Sequence, residues 1–376
     1  MSSKLVSKEA LARALALRDL TDPSQGPHAM QSLLTAVTRA LAGAWRCPVR
    51  VERAAPVVSV ADNYDRLHYP AGGAARDARY TRYVGPDTLL RTQTSAMIPP
   101  LLRRLAAEPR PPADVLLVCP GLVYRRDVID RLHTGEPHQV DLWRIRLGPP
   151  LGARDLDAMI AEVSAAAAPG RAVRVLPASH PYTVGGRQID VGSGDGWVEI
   201  GECGLALPDL LRESGLPEGA TGLAMGLGLD RLVMLRKGID DIRLLRSEDP
   251  RVAGQMLDLA PYRPVSRQPP IRRDLSIAVA AAAAAEELGD RVREALGPRA
   301  GDVEAVEVLG ETPGDALPPA AWARLGLRPG QKNVLLRVVL RSPERTLTDA
   351  EANELRDAVY GALHEGTAHE WAVDPV

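Results

Sequence analysis

No phenylalanine occurs anywhere in the 376 residues, although the chain holds 8 Tyr and 5 Trp. A globular chain of this length ordinarily carries on the order of a dozen or more. Base composition alone is a poor reason for the gap, because phenylalanine has a GC-ending codon. Cysteine is scarce as well: Cys47, Cys119 and Cys203 lie far apart, with no CxxC pair and no histidine cluster nearby. This spacing argues against a disulfide framework and a structural zinc site, and it fits a reducing cytoplasm. No apolar run is long enough to span a bilayer; the longest, near residues 280–285, is alanine. The first twenty residues alternate Lys, Glu, Arg and Asp with apolar positions, which speaks against a signal peptide. The expectation is a cytoplasmic protein with no membrane partner. A dominant charge sign is also missing. The net charge of −2 argues weakly against a protein that coats nucleic acid, although a local patch that grips RNA vanishes in such a sum.

The length predicts two domains, or one large domain and a small one. Helical periodicity marks residues 8–20, which Thr21, Asp22 and Pro23 break, and then residues 30–44. A polar stretch of little periodicity over 63–85 reads as loop with short elements, and 99–107 as helix. Residues 115–119 predict a strand, 121–126 the start of another, and 138–147 its antiparallel return. A helix over 156–168 and a strand over 171–176 follow, then paired strands at 188–191 and 197–203. The Gly-punctuated strand 222–229 runs into a helix over 230–237. Four prolines within residues 261–270 mark a linker. The domains expected are therefore a catalytic part over 1–260, with N-terminal helices in 1–45, and a second part over 271–376. The latter reads βαββαβ, a ferredoxin-like order, with Thr348 or Asp349 as the N-cap of its last helix.

Three separated segments carry residues suited to ATP chemistry, which needs cations aimed at phosphates. The first is GLVYRRDVIDRLHTGEPHQVD (121–141), with Arg125 and Asp127 alternating on one strand face and His133, Gln139 and Asp141 following. In the second, GLAMGLGLDR (222–231), glycines permit close backbone approach and Arg231 opens a helix. The third, WVEIGECG (197–204), sets Glu199 among apolar residues, where an unpaired carboxylate is costly. Singly, each has an ordinary explanation: a surface ion pair, a packing turn, a satisfied carboxylate.

Taken together and in this order, they resemble a known family. YRRD resembles motif 2 of the class II aminoacyl-tRNA synthetases, and GLGLDR resembles motif 3. The longer run from Tyr124 to Asp141, LLRTQTS (89–95) and GIDDIRLLRSEDPR (238–251) resemble the phenylalanyl-tRNA synthetases. PVSRQPPIRRDLSIAV (264–279) and LRSPERTLTDAE (340–351) resemble that family's ferredoxin-like anticodon-binding domain. The resemblance implies an α+β fold, with an antiparallel-sheet catalytic core flanked by helices and the small domain behind it. It implies a ligase that uses ATP and Mg2+ to activate phenylalanine and transfer it to tRNA-Phe.

Residue by residue, the resemblance assigns Arg125 to the α-phosphate, Arg231 to the γ-phosphate end and His133 to another phosphate oxygen. Glu199 is assigned to Mg2+ or to placing ATP. Gln139, Asp141 and Ser95 are assigned to the amino acid's charged groups, and Asp127 to the nucleotide or the amino acid. Ala224 floors the side-chain pocket. The departures are Gln93 for a histidine, Asp141 for a glutamate, Pro137 for an aromatic, and HPYT (180–183) for FPFT. His180 and Tyr182 thus replace the two phenylalanines of the pocket wall, so one place where phenylalanine is missing is that wall. A wall of this kind accepts phenylalanine or a ring with a hydrogen-bonding substituent. The domain order resembles the single-chain form of the family, which implies a monomer rather than a homodimer and no editing module of the β-chain type. The alternatives are a paralogue that activates another aromatic amino acid, and a synthetase-like protein that binds RNA or an amino acid without catalysis.

Overall fold

The computed structural model describes residues 5–194, 196–265 and 268–369. They divide into two compact units. The first takes the chain as far as Arg125, then Glu136–Leu245 and Pro250–Arg263. The second takes Arg126–Gly135, Arg246–Asp249 and the chain from Pro264 onward. Two short segments expected within the catalytic part, 126–135 and 246–249, thus group with the second unit.

The strands of the first unit are β1 (Val49–Val51), β2 (Val57–Ser59), β3 (Tyr83–Gly85), β4 (Thr88–Leu90), β5 (Asp114–Leu122), β6 (His138–Arg146), β7 (Val173–Pro177), β8 (Thr183–Ser193), β9 (Gly196–Ala206) and β10 (Thr221–Gly228). Seven of them form one sheet in the order β1-β5-β6-β10-β9-β8-β7, and β2-β4-β3 form a small second sheet. Every pairing in the large sheet is antiparallel except β1 with β5. The expected α+β architecture is the one observed.

Residues 115–126, expected to hold two strands, hold one that ends at Leu122. Pro120 does not interrupt it, for a reason in the ladder. Val123 donates its N–H to the Pro137 carbonyl, and Pro120 lies opposite Val140. Hydrogen-bonded pairs alternate along an antiparallel ladder, so position 120 needs no N–H toward β6. On its other side β1 has already ended opposite Val118.

The first helix, expected over 8–20, is Lys8–Ala16; Leu17 turns to extended backbone (φ −64°, ψ 131°). Asp19 then holds the next turn by accepting from the Thr21 N–H and hydroxyl. The helix Ala29–Trp45 begins at His28, whose ring accepts the Met30 N–H.

In the second unit β11 (Ile271–Ala280), β13 (Gln331–Leu340) and β12 (Val303–Pro313) form an antiparallel sheet in that order. Leu275, Ile277 and Val279 alternate inward, as do Val334, Leu336, Val338 and Leu340. They share a core with Leu288 and Val292 of the helix Ala285–Leu296 and with Leu355 and Val359 of Asp349–Leu363. The segment 126–135 joins this unit because Ile129 is buried in that core and its carbonyl accepts the Val306 N–H. Thr348 is the N-cap of the last helix and forms a capping box with Glu351, accepting its N–H at 3.3 Å while Glu351 accepts the Thr348 N–H at 2.9 Å. An extra helix, Pro319–Leu325, stands between β12 and β13. The expected final strand is not found within 364–369, and residues 370–376 lie outside the described residues.

Candidate active site

Directly opposed residues in a sheet share a face, so the register arranges side chains in rows across the large sheet. One row is Gly121, Gln139 and Gly228. The next is Cys119, Asp141, Gly226, Glu202 and Gln188. A third runs Leu117, Trp143, Ala224 and Gly204. A methyl group at Gly228 would meet nothing within 4 Å, and one at Gly226 would meet only the Asp141 carboxylate, at 3.9 Å. Glycine therefore leaves an open floor between Gln139 and Asp141 on β6 and Glu202 on β9.

Asp141 is almost wholly buried at 3% exposure. Its carboxylate accepts hydrogen bonds from Thr94 Oγ1 at 2.7 Å, from Ser95 Oγ at 3.0 Å and from Trp143 Nε1 at 3.0 Å. Burial raises its carboxyl above the ordinary value, and these donors oppose the rise. The resemblance assigns Asp141 to the amino acid's charged groups; in the structure its oxygens accept from neutral donors of the protein. Ser95, assigned beside it, is one of those donors. The Gln139 amide, by contrast, has no hydrogen-bond partner among the described residues and is half-buried.

Aromatic rings and Ala224 close one end of the floor. Tyr182 stacks on Trp143 with ring centres 6.1 Å apart, and it touches Tyr69 at 6.1 Å and His180 at 5.7 Å. Ala224 packs in the same apolar cluster, 2% exposed. Burial, then the nearby Asp141 charge, pushes the Tyr182 phenol well above its usual range. Tyr69 donates its hydroxyl to Gln93 at 2.9 Å, so the glutamine at that departure supports an aromatic wall residue. His180 pairs through Nε2 with Oε2 of Glu202.

The cations stand elsewhere around the floor. Arg125 follows the end of β5; its Nε donates to the Thr92 carbonyl at 2.9 Å, and its terminal nitrogens have no partner among the described residues. Arg231 lies in the first turn of the helix Leu229–Lys237 and reaches the Glu199 carbonyl with Nη1 at 3.3 Å. Asp230, next to it, is buried and bonds His138 at Nδ1, 2.9 Å away, while His138 Nε2 accepts the Leu20 N–H at 3.1 Å. This link ties the start of β6 to the start of the helix that carries Arg231.

Glu199 reaches the same face through an irregularity. Strict alternation would put Glu199 and Glu202 on opposite faces. The β8–β9 register shifts by one residue, pairing Ile189 with Gly201 and Asp190 with Glu199. That bulge carries Glu199 to the face of Glu202. Partial burial, then the like charge of Glu202, raises the Glu199 carboxyl, and Arg231 opposes the rise.

Asp127 and His133 belong to the second unit. The Asp127 carbonyl is bonded by Arg293, and His133 Nδ1 lies 2.8 Å from the Asp130 carboxylate. The first unit thus brings together Arg125, Ser95, Gln139, Asp141, His180, Tyr182, Glu199, Ala224 and Arg231. Sequence reasoning missed Thr94, Tyr69, Trp143 and Glu202. Trp143 was within reach of it, because it stands two residues from Asp141 on one strand. Glu202 was not, because the bulge hides its relation to Glu199.

No helix of the described residues is long and apolar enough to cross a membrane. Residues 25–256 match the family of tRNA synthetases class II core domain (F), and residues 266–371 match the ferredoxin-fold anticodon binding domain. The phenylalanine–tRNA ligase alpha subunit of Teredinibacter turnerae is 36% identical over 206 residues, covering 53% of this chain and 60% of that protein. The protein of the same name from Prochlorococcus marinus (strain MIT 9313) is 38% identical over 194 residues, covering 51% of this chain and 56% of that protein. The chain therefore spans less than two thirds of the length of these relatives. A solved structure of the pyrrolysyl-tRNA synthetase PylSc from Desulfitobacterium hafniense aligns with a TM-score of 0.44 and 19% identity, covering 63% of this chain and 77% of that one. With more than half of its length matched by that core-domain model, the chain belongs to the class II tRNA synthetases.

Proposed function

We propose that this protein activates an aromatic amino acid of the phenylalanine class with ATP and transfers it to a tRNA. The observation that carries the reading is the open glycine floor at Gly226 and Gly228, bordered by Arg125 and Arg231, with aromatic rings at the end where Ala224 lies. Phenylalanine is the reference substrate because the matched relatives are named for it, and tRNA-Phe is the corresponding acceptor. In the first step a carboxylate oxygen of the amino acid attacks the α-phosphorus of ATP and pyrophosphate leaves. In the second the tRNA 3′-terminal ribose hydroxyl attacks the aminoacyl carbonyl and AMP leaves.

Arg125, fixed at Nε and without a partner at its ends among the described residues, suits the α-phosphate, where a preset cation stabilises developing charge. Arg231 suits the far phosphates. Among the described residues no three His, Cys, Asp or Glu side chains gather as a metal cage. This fits Mg2+, which takes one or two carboxylates and completes its shell with water and phosphate oxygens; Glu199 would hold it, and it would neutralise phosphate charge. Gln139 suits the amino acid's carboxylate or ammonium, whereas Asp141 positions Ser95 and Trp143. Asp127 and His133 remain proposed phosphate contacts. Recognition of tRNA is assigned to the second unit. The monomer expected from the sequence also stands as a proposal, tested by sedimentation; the matched relatives bear the name of an alpha subunit.

The deciding experiment is amino-acid-dependent ATP–pyrophosphate exchange, followed by charging of total tRNA. Arg125→Ala should lower the exchange rate by about 10²- to 10³-fold. Exchange with no aromatic amino acid, or an Arg125→Ala protein as fast as the parent, would overturn the reading.

A further inference from the structure

Two carboxylates face each other across Gly226, and they differ in what they have left to offer. Asp141 is buried and already accepts from Thr94, Ser95 and Trp143. The Glu202 side chain is 39% exposed; its Oε2 is held by His180, and its Oε1 has no hydrogen-bond partner among the described residues. Gly226 adds no side chain between them, and a methyl there would find open space on the Glu202 side. His180 is itself 14% exposed and lies against Tyr182, which stacks on Trp143. Through His180, the partly exposed Glu202 carboxylate thus stands beside the rings of Tyr182 and Trp143.

We propose that His180 and Glu202 form a side-chain subsite that selects, within the aromatic class, amino acids whose ring carries a hydrogen-bond donor, a hydroxyl or an amine, over phenylalanine itself. A plain ring edge brought against Oε1 strips water from a charged oxygen and returns nothing, whereas a ring O–H or N–H donates to it. His180 holds the Glu202 carboxylate in one orientation, which leaves the other oxygen directed and preorganised. Sites built to hydrogen-bond a substrate group reject the analogue that lacks it far more strongly than apolar pockets reject an extra atom. The inference rests on the reading of the chain as an aromatic amino acid:tRNA ligase.

The test is ATP–pyrophosphate exchange by the full chain with phenylalanine, tyrosine, meta-tyrosine and 4-aminophenylalanine. For the parent protein, kcat/KM with at least one donor-bearing ring should exceed that with phenylalanine by about tenfold or more. In Glu202→Ala and His180→Phe this ratio should fall toward one. Glu202→Gln, which keeps an acceptor oxygen and the side-chain size, should retain part of it and shows that loss is not a failure to fold. A parent that prefers phenylalanine over every donor-bearing ring overturns the inference and leaves the ligase reading standing. Equal loss with all amino acids in Glu202→Gln also overturns it, and assigns Glu202 to the common ammonium instead. No exchange with any of the four overturns both.

Discussion

Acidification should loosen this fold through one histidine. His28 is 4% exposed and caps the helix Ala29–Trp45. Its Nδ1 accepts the Met30 N–H at 3.1 Å, so the ring proton sits on Nε2, which donates to the Leu245 carbonyl at 3.1 Å. Protonating Nδ1 would set two donors against each other at a helix N-terminus, where a positive charge is already disfavoured. Burial, the largest cause, brings the imidazole down from 6.5 to about 4; the Leu245 carbonyl opposes the fall. The folded state thus binds this proton more weakly than the unfolded chain does. Stability is fully present above pH 6.5, declines as pH falls toward the folded value near 4, and levels off below it. At 1.36 kcal/mol per unit, the whole drop amounts to about 3 kcal/mol. Asp141, raised by burial, acts with the opposite sign, so the His28 contribution must be read as a difference. His28→Asn keeps an N-cap acceptor and removes the titration. Urea midpoints of the two proteins should diverge between pH 7 and pH 4, with the parent losing about 3 kcal/mol more than the variant. Parallel curves would refute the assignment of the neutral tautomer.

Two further substitutions probe local geometry. At Gly201 a methyl group would stand 2.1 Å from the Gly226 carbonyl oxygen, so Gly201→Ala must displace the strand under the open floor. It should cost about 2–3 kcal/mol in the denaturant midpoint, and an unchanged midpoint would refute the close approach. Thr348→Ala removes one half of the capping box with Glu351 and should lower stability by about 1 kcal/mol, while Thr348→Ser restores it. Equal midpoints for the alanine variant and the parent would show that this cap contributes nothing.

Much of the site was legible because its signals are local. The glycine run ahead of Arg231 and the Gln139–Asp141 alternation are patterns of period two, and the large sheet uses them. The capping box at Thr348 and Glu351 is four residues long and needed nothing from elsewhere. Tyr182 and Ala224 lie together in an apolar cluster, as the aromatic wall requires. What escaped was what depends on a partner strand. Asp141 looked free to meet a ligand because Thr94 and Ser95 stand 47 and 46 residues away and Trp143's indole could point either way. Pro120 looked like a break because its ladder position cannot be read without β6.

The sequence alone determined the order of helices and strands through periodicity and turn residues, and its motif order carried the resemblance to a class II synthetase core followed along the chain by a ferredoxin-fold domain. Tertiary structure alone decided which carboxylate is buried among donors and which stays partly exposed. It buried Asp141 under Thr94, Ser95 and Trp143. One bulge in β9 turned Glu199 to the same face as Glu202, and His180 took one oxygen of that second carboxylate. Register and bulges follow from hydrogen bonding between strands far apart in sequence, and a shift of one residue reverses which face a side chain meets.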